Sequence, residues 1–119
     1  WYNQVMSFSY NLTINQGETF SKTFTYKSGG NAVDLSTHTA RMQVRTSFDA
    51  SSTLVNLTSG GGDITLASNG VITVTISTSA TAALAAPNSG VYDLEIIASD
   101  GSVTRLLQGN VTVTPEVTK

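Results

Sequence analysis

Apolar and polar positions alternate with a period of two along most of this chain, and the apolar positions are filled largely by β-branched and aromatic residues. Gly, Asn, Asp and Ser interrupt the alternation at short intervals, which is the pattern of short antiparallel strands joined by tight turns. Tyr10, Leu12 and Ile14 share one face, and Asn15-Gln16-Gly17-Glu18 reads as the turn that follows. Phe20, Phe24 and Tyr26 repeat the pattern with Lys22 among them, while Ser21, Thr23 and Thr25 take the other side, so the aromatic side is the inner one. Ser28-Gly29-Gly30-Asn31 supplies a turn. Ala40, Met42 and Val44 then alternate with Arg41, Gln43 and Arg45, which places these polar residues on the exposed face of their strand.

Further on, residues 53–57 form a weaker strand, Ser59-Gly60-Gly61-Gly62-Asp63 a flexible loop, and Ile64 and Leu66 a short apolar return before a turn at Ser68-Asn69-Gly70. Ile72, Val74 and Ile76 alternate with Thr73 and Thr75 and define an inner face. The Ala-rich stretch ahead of Pro87 predicts one short helical turn near 78–86, anchored by Leu84. Tyr92, Leu94, Ile96 and Ala98 form the next inner face, with Asp93 and Glu95 facing outward. Asp100-Gly101 is a hairpin turn, and the alternation shifts at Gly109, which predicts a bulge or bend there. This spacing predicts an all-β fold: a two-sheet antiparallel β-sandwich, immunoglobulin-like, with about seven to nine strands. The arrangement lacks the Cys, Trp and Cys pattern of antibody domains.

The 119 residues fit one core, so residues 10–119 are expected to form a single sandwich domain preceded by an arm at 1–9. With no Cys, disulfides, thiolate zinc and a cysteine nucleophile are all closed. Charged residues make up 12%, against about a quarter in an average domain, so Ser and Thr carry the solubility. A net charge of -2 offers no footprint for nucleic acid, and no apolar run is long enough for a membrane helix. The expectation is a soluble protein made in the cytoplasm, with no nucleic-acid or membrane partner.

The chemistry to search is thin. His38 is the single histidine, and its neighbours Asp34 and Ser36 are too close in sequence to form a triad; it reads as an ordinary turn residue. Asp93 and Glu95 project from one strand, whereas a glycosidase pair normally comes from separate segments. The glycine run lacks the Lys-Ser or Lys-Thr of a phosphate loop, and Asp63 alone supplies one oxygen for a cation. No catalytic residue, cofactor or metal site is expected. Two features point to contacts instead. Trp1, Tyr2, Val5, Met6 and Phe8 crowd the arm, and aromatic residues and Met favour interface centres. Arg41 and Arg45 form a local basic cluster on a strand face, either plainly solvated or facing a partner through salt bridges.

The succession of strand motifs resembles a family of short bacteriophage virion proteins with an immunoglobulin-like fold of the baseplate-upper-protein type. The motifs that carry the resemblance are Leu12-Thr13-Ile14-Asn15-Gln16-Gly17-Glu18-Thr19-Phe20, Val33-Asp34-Leu35-Ser36 and Ala40-Arg41-Met42-Gln43-Val44-Arg45, followed by Gly70-Val71-Ile72-Thr73-Val74-Thr75-Ile76-Ser77 and Tyr92-Asp93-Leu94-Glu95. It continues through Val103-Thr104-Arg105-Leu106-Leu107-Gln108-Gly109 to the end of the chain, and the arm before Tyr10 lies outside it. The resemblance implies a virion structural module in the tail, baseplate or fibre-attachment region, with other virion proteins and symmetry-related copies as partners, and no family catalytic residues. Capsid decoration is the alternative within the particle. From another class, a carbohydrate-binding module would use Tyr2, Phe48 or Tyr92 as a stacking platform, although the plainer reading of Phe48 is a loop residue that caps the core.

Overall fold

A computed structural model describes residues 8–86 and 88–117, apart from the Phe8 side chain. The all-β expectation holds, with eleven strands and one short helix among these residues, three of the strands being only two residues long. The strands are β1 (Phe8–Ser9), β2 (Leu12–Asn15), β3 (Phe20–Thr25), β4 (Lys27–Ser28), β5 (Asn31–Ala32), β6 (Thr39–Arg45), β7 (Val55–Thr58), β8 (Ile64–Leu66), β9 (Val71–Ile76), β10 (Asn88–Ile97) and β11 (Val103–Thr114). The helix α1 (Thr78–Ala82) separates β9 from β10.

The larger sheet has the order β1-β11-β10-β6-β7, with β2 also on β11, and it curls into a half-barrel. A second sheet has the order β3-β9-β8, and β4 with β5 makes a small separate hairpin. The pairing is not purely antiparallel as expected: both β1 and β2 run parallel to β11. Buried residues of the two larger sheets meet in one cluster, with Ile14, Met42, Val44, Leu94 and Val111 from one and Ile64, Ile72, Val74 and Ile76 from the other. Each fully buried Ile or Leu contributes about 1.5–3 kcal/mol against exposure.

The alternation works as read in β9, where every second residue is buried, and in β3, where Phe20, Lys22 and Phe24 lie on the more buried side. Lys22 is tolerated there because its ammonium sits 5.3 Å from the centre of the Tyr10 ring, which in turn meets Phe24 edge-on at 5.7 Å. Tyr10 stands between β1 and β2 with its ring against Phe24 and is 39% exposed, the least buried of the Tyr10, Leu12 and Ile14 set. One detail differs from the sequence reading. The bulge is not at Gly109 but earlier in β11, where Leu94 opposes Leu107 while Glu95 opposes Arg105, so that Leu106 is the extra residue. Gly109 serves a close approach instead. A Cβ there would run into the Tyr10 carbonyl, so its small size admits the kink between β1 and β2.

That kink is held by two side chains. The Tyr92 hydroxyl donates to the Tyr10 carbonyl at 2.7 Å, and the Asn110 N–H donates to the Asn11 Oδ1 at 3.1 Å in place of a backbone ladder bond. At the other end of the molecule Thr81, fully buried on α1, accepts from the Gly17 N–H at 3.1 Å and donates to the Glu18 carbonyl at 2.8 Å. Gln16 completes the tie, donating to the Leu84 carbonyl and accepting from the Glu116 N–H, both at 2.9 Å. Ser77 caps α1 by accepting from the Ala80 N–H.

Candidate functional site: the outer face of the large sheet

Because β6, β10 and β11 are adjacent, their outward residues line up in cross-strand rows. One row is Arg41, Glu95 and Arg105; the next is Gln43, Asp93 and Gln108; the third is Arg45, Val91 and Asn110. All three arginines of a chain with 6 Lys and Arg in total therefore stand on this one face. Arg41 Nε donates to Glu95 Oε1 at 2.7 Å, and Arg105 Nε lies 3.6 Å from Asp93 Oδ2. Sequence alone identified Arg41, Arg45, Asp93 and Glu95 as outward-facing. It did not place Arg105 and Gln108 beside them, since residues an odd number apart on one strand face opposite ways unless a bulge intervenes. The adjacent apolar pair Leu106-Leu107, both buried, was the available signal for that bulge.

The loop 46–54 closes the Arg45 end of the face. Arg45 Nη1 donates to the Ala50 carbonyl at 2.7 Å and Nη2 to Gln43 Oε1 at 2.9 Å, while the Ala50 N–H donates to the Ser47 carbonyl and the Ser47 hydroxyl to Asp49. Gly90 allows the close crossing, for a Cβ there would meet the Arg45 carbonyl. These ties hold Phe48 at the loop tip with 89% of its surface exposed, so it does not cap the core as the plainer reading expected. Phe48 lines a depression of about 150 Å3 together with Gln43, Arg45, Val91, Asp93, Arg105 and Gln108. A neighbouring depression of about 200 Å3 shares Phe48 and extends to Asn11 and Asn110.

Asp93 is the electrostatically costly member of the face. Partial burial and the nearby Glu95 raise its pKa above the usual carboxylate value, and the pull of Arg105, Arg41 and Arg45 offsets this only in part.

The remaining sequence candidates fall elsewhere. Trp1, Tyr2, Val5 and Met6 lie outside the described residues, and only the backbone of Phe8 is placed, in β1. Tyr92 is 5% exposed and its hydroxyl is engaged with the Tyr10 carbonyl, so it offers no stacking surface. His38 sits in the turn before β6 with its N–H bonded to the Leu35 carbonyl. The carboxylates whose charges reach it are engaged in turns of their own, Asp34 with the Ser36 N–H and Asp100 with the Ser102 N–H and hydroxyl. Among the described residues no cluster of three or more His, Asp or Glu gathers as a metal site, and no helix is long and apolar enough to cross a membrane. Neither a scan against models of protein families nor a search of curated proteins matches this chain.

Proposed function

We propose that this chain is a non-enzymatic binding and assembly module of a bacteriophage particle, in the tail, baseplate or fibre-attachment region, and that it meets neighbouring protein subunits through the outer face of its large sheet. The observation that carries the binding role is the gathering of every arginine on that face. Elsewhere Ser and Thr keep the sheets wet, as on β3 and β9, so arginine is not needed for solubility there. Arginine is enriched at protein interfaces because its planar fork makes paired hydrogen bonds at low reorganisation cost. Exposed pairs such as Arg41 with Glu95 add about 1 kcal/mol or less to folding, so stability does not account for them.

The fold we infer is an immunoglobulin-like sandwich. The order β3-β9-β8 matches strands B, E and D of that arrangement, and β6-β10-β11 matches C, F and G. A rigid sandwich that presents one sheet face suits a particle component present in symmetric copies. The virion assignment itself rests on the succession of strand motifs described above, and capsid decoration, which asks for the same rigid sandwich, is the alternative.

The test has two arms. Light scattering of the full chain over a range of concentrations should show association, and Arg41→Glu should return a folded monomer. Mass spectrometry of purified particles of the phage that encodes the chain should recover its peptides. A chain that stays monomeric at every concentration and is missing from the particles refutes the reading.

A further inference from the structure

Phe48 is the one feature of this face that neither folding nor the charged rows explain. A Phe that is 89% exposed gives up nearly all the stabilisation its burial would bring, yet its loop is pinned by three hydrogen bonds that hold it beside a depression of mixed polar and apolar lining. We infer that this depression is a binding site for a neutral saccharide, with Phe48 as the stacking wall and Asp93, Gln43 and Gln108 as the groups that fix its hydroxyls.

The chemistry of the lining selects that class. Asp93 pairs with Arg105 through Oδ2, and its Oδ1 has no partner among the described residues, so it is an acceptor for a ligand hydroxyl. Gln43 and Gln108 each have the carbonyl oxygen held by an arginine, Arg45 at 2.9 Å and Arg105 at 3.1 Å. Each amide is thereby oriented with its N–H2 as the group left for a ligand. Gln43 uses it only for a long 3.4 Å contact to Asn56, and Gln108 has no acceptor for it among the described residues. A carboxylate between two amide donors, beside an apolar ring, matches neighbouring hydroxyls on a pyranose whose C–H face lies against the ring. An anion is disfavoured by Asp93 and Glu95, and a cation by Arg41, Arg45 and Arg105, so the near balance of charge leaves a neutral ligand. The depression of about 150 Å3 is of monosaccharide scale, and its neighbour of about 200 Å3 on the far side of Phe48 has room for an adjoining ring.

This site goes beyond the assembly role and lies on the same face. Its middle row of Gln43, Asp93 and Gln108 is two residues from Arg41 along β6, or roughly 7 Å at a strand's rise, and Arg105 of the Arg41 row lines it. A subunit covering the Arg41 row and a sugar seated beside Phe48 are therefore neighbours that compete for Arg105.

The experiment is amide-resolved NMR titration of the full chain with glucose, galactose, mannose, rhamnose and N-acetylglucosamine, with inorganic phosphate and glucuronate as charged controls. At least one neutral sugar should give saturable shifts confined to residues 43–48, 91–93 and 108–110, with a dissociation constant on the order of 1 mM for so small a contact. Phe48→Ala should weaken binding by on the order of tenfold and Phe48→Trp should keep it, and neither exposed substitution threatens the fold. Asp93→Asn should weaken it as well. No saturable shift with any of the five sugars, or shifts indifferent to Phe48→Ala, overturns the inference. So does loss of self-association in Phe48→Ala, which would make Phe48 a protein contact.

Discussion

Removing the Tyr92 hydroxyl tests the account of how the first strands are held on β11. In Tyr92→Phe the ring stays in place, 5% exposed in the native protein, but the Tyr10 carbonyl loses its donor at 2.7 Å. Leaving a partly buried acceptor unpaired costs about 2 kcal/mol, which for a domain of this size lowers the melting temperature by roughly 6–12 °C. The pH dependence sharpens the test. Burial, reinforced by the neighbouring Tyr10, pushes the Tyr92 phenol up to about 12 from 10.0. A group whose pKa is raised on folding contributes stability that is fully present below its unfolded value and is lost as pH rises through the folded one. The native chain should therefore lose on the order of 3 kcal/mol from this group between pH 10 and 12, and the Phe variant none of it. Urea unfolding of both proteins at pH 7, 10 and 11.5 measures the difference directly, since alkaline effects common to both cancel. The variant's deficit should be largest at pH 7 and shrink above pH 10. A deficit that is absent at pH 7, or that does not change with pH, refutes the role given to this hydroxyl.

Three other substitutions follow from the same geometry. Thr81→Val keeps the shape but leaves the Gly17 N–H and Glu18 carbonyl without their partner, so it should cost about 1–3 kcal/mol in urea unfolding, with Thr81→Ser much milder. Gly109→Ala places a methyl against the Tyr10 carbonyl, a main-chain atom that cannot swing aside, and should lower the melting temperature by an amount matching about 1–3 kcal/mol. Asp93→Asn removes a carboxylate whose pKa is raised, and a raised carboxylate opposes folding once pH passes its unfolded value of 3.8. The variant should be at least as stable as the native chain at pH 7 and lose that advantage below pH 4, as followed by thermal unfolding. Greater stability together with weaker sugar binding is what a functional, rather than structural, carboxylate predicts.

The local grammar of the strands was legible in the sequence because side-chain period and turn chemistry are properties of a few neighbouring residues. Alternation alone assigned Ile72, Val74 and Ile76 inward and Arg41 and Arg45 outward. The Ala-rich run marked α1, and Asp100-Gly101 marked the β10–β11 turn, where Gly101 takes a φ of 89°. Which strands become neighbours is a different kind of information. The parallel docking of β2 on β11 joins residues nearly a whole chain apart, such as Leu12 with Val111, and no local pattern encodes that choice. The tie from Tyr92 to Tyr10 and the space reserved at Gly109 exist only once that docking has occurred.

The candidate site divides along the same line. Its strands β6 and β10 were read correctly as polar outward, since each needs only its own alternation. Its membership depends on the assembled sheet, because the Leu106 bulge turns Arg105 and Gln108 onto one face, and strand order then sets them beside Asp93 and Glu95. Phe48 shows the limit most plainly: hydrophobicity predicts burial, but a loop anchored by Arg45 and crossed close to Gly90 leaves its tip no core to reach. A period of two is a property of each strand taken singly, so it was enough to tell which side of β6, β9 and β10 faces water. Adjacency is a property of the folded chain, and it alone brings charge, amides and an exposed ring together on one wet face.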